Sequence, residues 1–154
     1  MFAQSDLRYN EHLVQQIRDL SPEITVYLPQ ENEAINDKSA YADSKMIALA
    51  DTEEVLKSDL MVAVLDGITI DAGVASEIGV AYAKGIPIIA LYSDTRQQGA
   101  ENQKKLAALL TPAENQFHYL NLYTVGLVKL NGQVVATEAA LLEAIQQTLL
   151  EGRD

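Results

Sequence analysis

Two apolar runs constrain the fold of this chain more than any other feature of its sequence. Residues 60–65 and 86–92 consist almost entirely of apolar side chains, and a stretch of small residues at helical spacing, 72–84, lies between them. Consecutive apolar positions are typical of strands covered on both faces, and a strand–helix–strand order favours parallel pairing. The sequence therefore predicts an α/β fold with a doubly wound parallel sheet.

The other elements are predicted from the same periodicities. Apolar residues at helical spacing follow Ser5 and Asp6, either of which can cap the first helix, and they continue to Leu20. The remaining prediction comprises a strand at 24–28, a loop at 30–38, a helix at 39–58 broken near Asp51, a short helix at 104–110, a strand at 117–123, a hairpin at 125–135 across Asn131 and Gly132, and a final helix at 137–150.

The beginning of the chain is unusual for this fold class. A doubly wound sheet ordinarily starts with a buried central strand, whereas only residues 1–4 precede the first predicted helix. Either the sheet lacks its usual first strand, or these residues and a partner chain supply it. No repeat, low-complexity run or Pro/Gly-rich linker divides the sequence, so we expect residues 1–154 to form a single domain.

The charge of the chain limits the ligands that it can bind. Twenty-two acidic against 11 basic residues give a formal net charge of −11, which repels nucleic acids and anionic membranes. No stretch approaches the ~18 consecutive apolar residues of a membrane helix. With no cysteine, only two histidines and no leader-like segment at Met1, we expect a cytoplasmic protein that binds a neutral or cationic small molecule without a metal or cofactor.

The segment 66–79 carries the most informative polar residues, because it leads from the end of a buried strand into the next helix. Glu77 lies on the edge of the apolar stripe of that helix, so we expect it to be partly buried. A buried carboxylate needs partners or a task that offsets its desolvation. Asp71 is suited to cap the helix or to contact a substrate, and Asp66 to occupy a turn.

Glycines and a further acid accompany Glu77. Gly73 and Gly79 flank it, which indicates either tight helix packing or close approach of a ligand to the backbone. The residues 51–54 have the outline of a capping box beginning at Asp51, a purely structural motif. Apolar neighbours around Asp51 also favour a position close to the Glu77 helix.

These residues resemble the signature of the nucleoside 2-deoxyribosyltransferase family. The matching pattern is Asp71-x-Gly73-x-x-x-Glu77-Ile-Gly79-x-Ala81 followed by Gly85, with Asp51 and Asp59 at family-like separations. The segment Asn121-Leu-Tyr123 is similar to the family segment that a neighbouring subunit contributes to the pocket. The resemblance implies a flavodoxin-like or Rossmann-like fold and a homo-oligomer, a dimer or hexamer, with shared active sites.

The resemblance also implies a role for each residue. Glu77 would be the nucleophile that attacks the anomeric carbon of a 2-deoxyribonucleoside, and Asp51 would protonate or hydrogen-bond the departing base. Asp71 and Gly73 would contact substrate. From the second chain, Asn121 would hold the sugar hydroxyls, with Tyr123 beside it. Phe2 is suited to stack on a base or to anchor the core.

The activity implied is transfer of 2-deoxyribose between purine and pyrimidine bases, with a nucleoside and a free base as the small-molecule partners. Two alternatives stay open. The chain could hydrolyse the N-glycosidic bond of nucleosides or nucleotides, or it could bind a nucleoside without turnover. Because Asp71 and the net charge of −11 repel a phosphate, an unphosphorylated nucleoside is the favoured substrate.

Overall fold

A computed structural model describes residues 3–32, 43–95, 102–113 and 120–151 of the chain. Helices and strands alternate through most of these residues. The helices are α1 Gln4–Leu20, α2 Ser44–Lys57, α3 Ala72–Lys84, α4 Gln103–Ala108, α5 Leu122–Leu130 and α6 Glu138–Glu151, and the strands are β1 Met61–Val64, β2 Ile88–Leu91 and β3 Gly132–Val135. A 3-10 turn, Pro29–Glu31, follows residues 24–28.

The three strands form one parallel sheet in the order β1-β2-β3. Met61 is in register with Ile88, and Ile88 with Gly132. All four residues of β2 are buried, as expected for a central strand covered on both faces. The predicted α/β class with a parallel sheet is confirmed, and the fold is flavodoxin-like.

Two hydrophobic cores lie on opposite faces of the sheet. On one face, Ile78 and Ala81 of α3 and Val128 of α5 pack against Ala63 and Ile88. On the other face, α1 and α6 cover the sheet, with side chains that include Leu13, Ile17, Leu141 and Ile145 around Ile89 and Leu91. Alternation of side chains along each strand therefore assigns α3 and α5 to one face and α1 and α6 to the other.

The structure corrects two of the predicted strands. Residues 24–28 have no ladder partner among the described residues, although Leu28 has the extended backbone angles φ −119° and ψ 114°. The predicted hairpin at 125–135 is wrong. Its first half belongs to α5, which packs on α3, and its second half is β3, which pairs with β2 in parallel. The predicted strand at 117–123 lies partly outside the described residues, and its end, 122–123, starts α5.

Helix boundaries differ from the prediction at two places. Ala3, rather than Ser5 or Asp6, is the N-cap residue of α1, and Asp6 accepts a hydrogen bond from the Ala3 amide at 3.3 Å. In α2 the N-cap is Asp43, whose side chain accepts from the amides of Lys45 and Met46, and the helix is continuous through Asp51. Within the described ranges, no helix combines the length and apolarity that crossing a membrane requires.

Candidate active site

One cavity reaches the carboxyl ends of β1 and β2 and the start of α3. The acidic side chains that line it include Asp51, Asp66, Asp71 and Glu77. Ligand sites of open parallel sheets lie at this edge, because the loops that leave the strands converge there. The position therefore marks these residues as the candidate site.

Glu77 lies one turn into α3 and is half-buried, as its place on the helix predicts. Burial raises the pKa of Glu77 above its ordinary value of 4.5, and the negative charges of Asp51 and Asp71 raise it further. The three carboxylates are thus close enough to interact electrostatically. We refer to Asp51, Asp71 and Glu77 as the acid cluster.

Asp51 belongs to the interior of α2 and does not cap a helix, so the capping-box interpretation is wrong. It is half-buried, and burial raises its pKa. Aspartate is an unfavourable residue inside a helix, by about 0.6 kcal/mol relative to alanine. The packing of α2 against α3 directs this position toward Glu77.

Asp71 caps α3. Its Oδ1 atom accepts hydrogen bonds from the amides of Gly73 at 2.9 Å and Val74 at 3.4 Å. A Cβ atom on Gly73 would lie 3.0 Å from the same oxygen. The close approach expected at Gly73 is therefore made by the capping carboxylate itself.

Among the described residues, the structure shows no atom in close approach to Gly79, in contrast to the expectation from the sequence. A Cβ atom there would meet nothing within 4 Å. Neither helix packing nor a backbone contact within the described part of the chain requires glycine at this position.

Sequence reasoning missed the role of Asp66, which it assigned to a turn. Its carboxylate accepts three hydrogen bonds from the segment after β2, from the Ser93 amide at 2.8 Å, the Ser93 hydroxyl at 2.7 Å and the Asp94 amide at 3.1 Å. These bonds join the ends of the two neighbouring strands beside the acid cluster. The signal in the sequence is an acid directly after one buried strand and a serine directly after the next.

Asn121 and Tyr123 lie elsewhere in this chain. Asn121 caps α5, accepting hydrogen bonds from the amides of Tyr123 at 3.0 Å and Thr124 at 3.1 Å. Both predicted residues are exposed, and neither lines the described wall of the cavity that holds Glu77. Phe2 lies outside the described residues.

Comparison with known proteins identifies the family of the chain. The sequence model of nucleoside 2-deoxyribosyltransferases matches residues 1–110, which include the whole acid cluster. A conserved protein from Enterococcus faecalis V583, known from a crystal structure, is similar at 75% identity with a TM-score of 0.90, over 95% of this chain and 92% of that one. No curated protein matches the chain. The chain belongs to the nucleoside 2-deoxyribosyltransferase family.

Proposed function

We propose that this protein transfers 2-deoxyribose between purine and pyrimidine bases through a covalent glycosyl intermediate on Glu77. The observation that carries the proposal is the acid cluster, in which a half-buried Glu77 shares one cavity with two further carboxylates. Cleavage of a glycosidic bond with a covalent intermediate uses one carboxylate as nucleophile and a second as proton donor.

In the first step, a carboxylate oxygen of Glu77 forms a bond to C1′ of the nucleoside while the C1′–N bond to the base breaks. The electron pair of that bond leaves with the base. The negative charge of Asp71 favours the cation-like sugar of the transition state. Asp51, a half-buried carboxyl whose pKa is raised by burial, donates a proton to the departing base.

In the second step, a nitrogen atom of the acceptor base attacks C1′ and releases the Glu77 carboxylate. Asp51 takes the proton that the incoming base loses, which returns the site to its starting state. No water is consumed and no cofactor is changed. Asp71, held in place by its bonds to the start of α3, contacts the substrate beside Glu77.

We further propose that two copies of the chain form the complete site. Leu122 and Tyr123, at the start of α5, are 83% and 77% exposed. Neighbouring exposed apolar side chains favour contact with another protein surface, because that contact removes apolar area from water. In that arrangement Asn121 and Tyr123 of one copy reach the sugar bound by Glu77 of the other.

Product analysis tests the activity. Incubation with deoxyinosine and adenine is expected to yield deoxyadenosine and hypoxanthine. Glu77→Gln is expected to abolish both products, and the matched control Glu53→Gln, an exposed glutamate of α2 in a surface ion pair with Lys57, is expected to retain parental rates. Deoxyadenosine formed at the parental rate by Glu77→Gln would overturn the nucleophile assignment.

Hydrolysis is the second candidate, because Glu77 is only half-buried and water can therefore reach a sugar bound to it. Deoxyinosine alone distinguishes the two reactions. Hypoxanthine release that adenine neither accelerates nor diverts into deoxyadenosine would assign the protein as a hydrolase.

Mass spectrometry tests the covalent step separately. A 2-fluoro-2-deoxynucleoside is expected to leave a sugar adduct on the peptide that contains Glu77 and none on Glu77→Gln. An adduct on another carboxylate would contradict the assignment even if transfer occurs.

Mixing two impaired variants at a nucleoside concentration far below the KM of Asn121→Asp tests the shared site. Glu77→Gln and Asn121→Asp impair opposite halves of each site, so a mixed dimer retains one intact site. After exchange of subunits, the mixture is expected to recover roughly a quarter of the parental activity. An active protein that stays monomeric at assay concentration would contradict sharing.

A further inference from the structure

The cavity that holds the acid cluster is strongly acidic. Among the described residues that line it, nine are acidic and one, Lys57, is basic. The Nζ atom of Lys57 lies 3.2 Å from a carboxylate oxygen of Glu54 and 3.4 Å from one of Glu53. Six residues separate Lys57 from Asp51 in α2, which is ~9 Å along the helix axis. The charge of Lys57 is therefore engaged by glutamates of its own helix, at a distance from the acid cluster.

Asp66 adds negative charge at the same edge of the sheet. Its carboxylate accepts hydrogen bonds from uncharged groups, which are the amide and hydroxyl of Ser93 and the amide of Asp94. Neutral donors orient a carboxylate without cancelling its charge. The formal net charge of −11 for the whole chain has the same sign, and a field of this sign concentrates cations in a cleft.

The carboxylates of the acid cluster oppose ionisation of Glu77. Burial, and then the charges of Asp51 and Asp71, raise the pKa of Glu77 above its ordinary value of 4.5. Attack on a sugar carbon requires the ionised carboxylate, because the protonated acid is a weak nucleophile. A positive charge placed among the three carboxylates favours the ionised form of each. A cationic substrate would therefore activate the nucleophile when it binds.

A base with a positive charge also removes the need for a proton donor. A neutral base must gain a proton as it leaves the sugar, which is the task proposed above for Asp51. The ring nitrogen of a cationic base is neutralised by the electron pair of the C1′–N bond itself. An acidic cavity and one carboxylate nucleophile are thus sufficient for the first step.

We propose that the Glu77 site also cleaves the N-glycosidic bond of 2-deoxyribonucleosides whose base carries a fixed positive charge, such as a pyridinium ring. The inference rests on the proposed function, because Glu77 is the nucleophile in both reactions. It adds a class of substrate that does not depend on proton donation by Asp51.

The steps of this reaction balance without a cofactor. A carboxylate oxygen of Glu77 forms a bond to C1′ while the C1′–N bond breaks, and the base leaves uncharged with the electron pair. No proton moves in this step. Water or an acceptor base then attacks C1′ and releases Glu77. Asp51, which the bound cation keeps ionised, takes the proton of the attacking group and passes it to solvent.

Binding of a matched pair of ligands tests the role of charge. The pair is 3-carbamoylpyridinium 2-deoxyriboside and its 1,4-dihydro form, which have the same heavy atoms and differ in the charge of the ring. Glu77→Gln serves as the receptor, so that cleavage does not interfere. We expect the cationic form to bind at least ~10-fold more tightly, because Asp51 and Asp71 remain in the site. Equal Kd values for the two forms would overturn the proposal.

Single-turnover cleavage tests the independence from Asp51. With protein in excess over nucleoside, release of the base reports the first step alone. Asp51→Asn is expected to slow release of hypoxanthine from deoxyinosine by at least ~100-fold, the usual contribution of a general acid. The same substitution should slow release from the pyridinium deoxyriboside less than ~10-fold. Equal losses for the two nucleosides would overturn the proposal.

Two further variants serve as controls in this assay. Glu77→Gln is expected to release neither base above the rate measured without protein, and Glu53→Gln should retain parental rates for both. Hypoxanthine release by the parent without pyridine release would overturn this inference and leave the proposed function intact. Pyridine release alone would support the inference and overturn transfer between purine and pyrimidine bases. Release of neither base would overturn both proposals.

Discussion

The carboxylate of Asp66 accepts hydrogen bonds from both the amide and the hydroxyl of Ser93, at 2.8 and 2.7 Å, although 27 residues separate them in sequence. Asp66 follows β1 and Ser93 follows β2, so the pair ties together the strand ends that carry the candidate site. A third bond, from the Asp94 amide to the same oxygen as the Ser93 amide, completes the set. The acid cluster therefore lies beside a fixed junction rather than on two independent loops.

Asp66→Ala is expected to lower the free energy of unfolding by about 2–4 kcal/mol, because two amides of a partly buried segment lose their acceptor. Asp66→Asn keeps an oxygen for both amides and an NH2 group for the Ser93 hydroxyl, so it should lose less than half as much. Urea denaturation of the two variants checks this. Equal losses would show that the junction does not depend on these bonds.

The free energy of unfolding is expected to decrease as pH rises, because Glu77 then loses its proton. Burial, and then the charges of Asp51 and Asp71, raise its pKa above 4.5, so the folded state holds the proton more tightly than the unfolded chain. The stability that this tighter proton binding contributes is fully present below the pKa of Glu77 in the unfolded chain. It is lost as pH rises through the pKa of Glu77 in the folded state. Glu77→Gln lacks this titration.

The unfolding free energy of the parent relative to Glu77→Gln should therefore fall as pH rises above about 4.5 and through the higher folded pKa of Glu77. Asp51→Asn should differ from the parent in the same direction, because burial raises that pKa as well. Glu53→Gln, on the exposed side of α2, serves as the control. Parallel stability curves for the parent and Glu77→Gln would contradict the coupling within the acid cluster.

Two glycines inside helices should tolerate alanine. Gly79→Ala is expected to stabilise the protein by about 0.8–1 kcal/mol, since its Cβ would meet nothing within 4 Å inside α3. Gly126→Ala in α5 should behave alike, for the same reason. Thermal denaturation measures both changes; a loss of stability in Gly79→Ala would reveal a contact made in an assembly.

Gly132→Ala is expected to destabilise the fold by more than about 3 kcal/mol or to prevent folding. Its Cβ would clash with the Ile88 carbonyl oxygen, where β3 pairs with β2. The backbone of β3 can approach β2 only without a side chain at this position. Soluble expression with a parental melting temperature would contradict this requirement.

Two substitutions of Asn121 distinguish its role as a helix cap from a role in substrate binding. Asn121→Ala should cost about 1 kcal/mol, because the amides of Tyr123 and Thr124 lose their acceptor. Asn121→Asp keeps the acceptor and should retain parental stability, while loss of the side-chain NH2 group raises KM for the nucleoside. An unchanged KM in Asn121→Asp would confine the residue to its capping role.

The acid cluster could be predicted only in part. The positions of Asp71 and Glu77 relative to one another follow from a single helix, so local periodicity was sufficient for both. Asp51 belongs to another helix, and its pattern fits a capping box equally well. Its position inside α2 is set by Asp43, which starts the helix eight residues earlier, and by packing against α3.

The sequence by itself determined the α/β class, the helix from Ala72 to Lys84 with its stop at Gly85, and the two strands beside it, because buried strands and helix caps leave local patterns. Only the tertiary structure decided that 122–130 is a helix and 132–135 a parallel strand, since Asn131-Gly132 fits a hairpin turn until Gly132 meets Ile88. Asp66 likewise acquired its role through partners 27 residues away. Contacts between distant segments have no local pattern, and they set the register and the site.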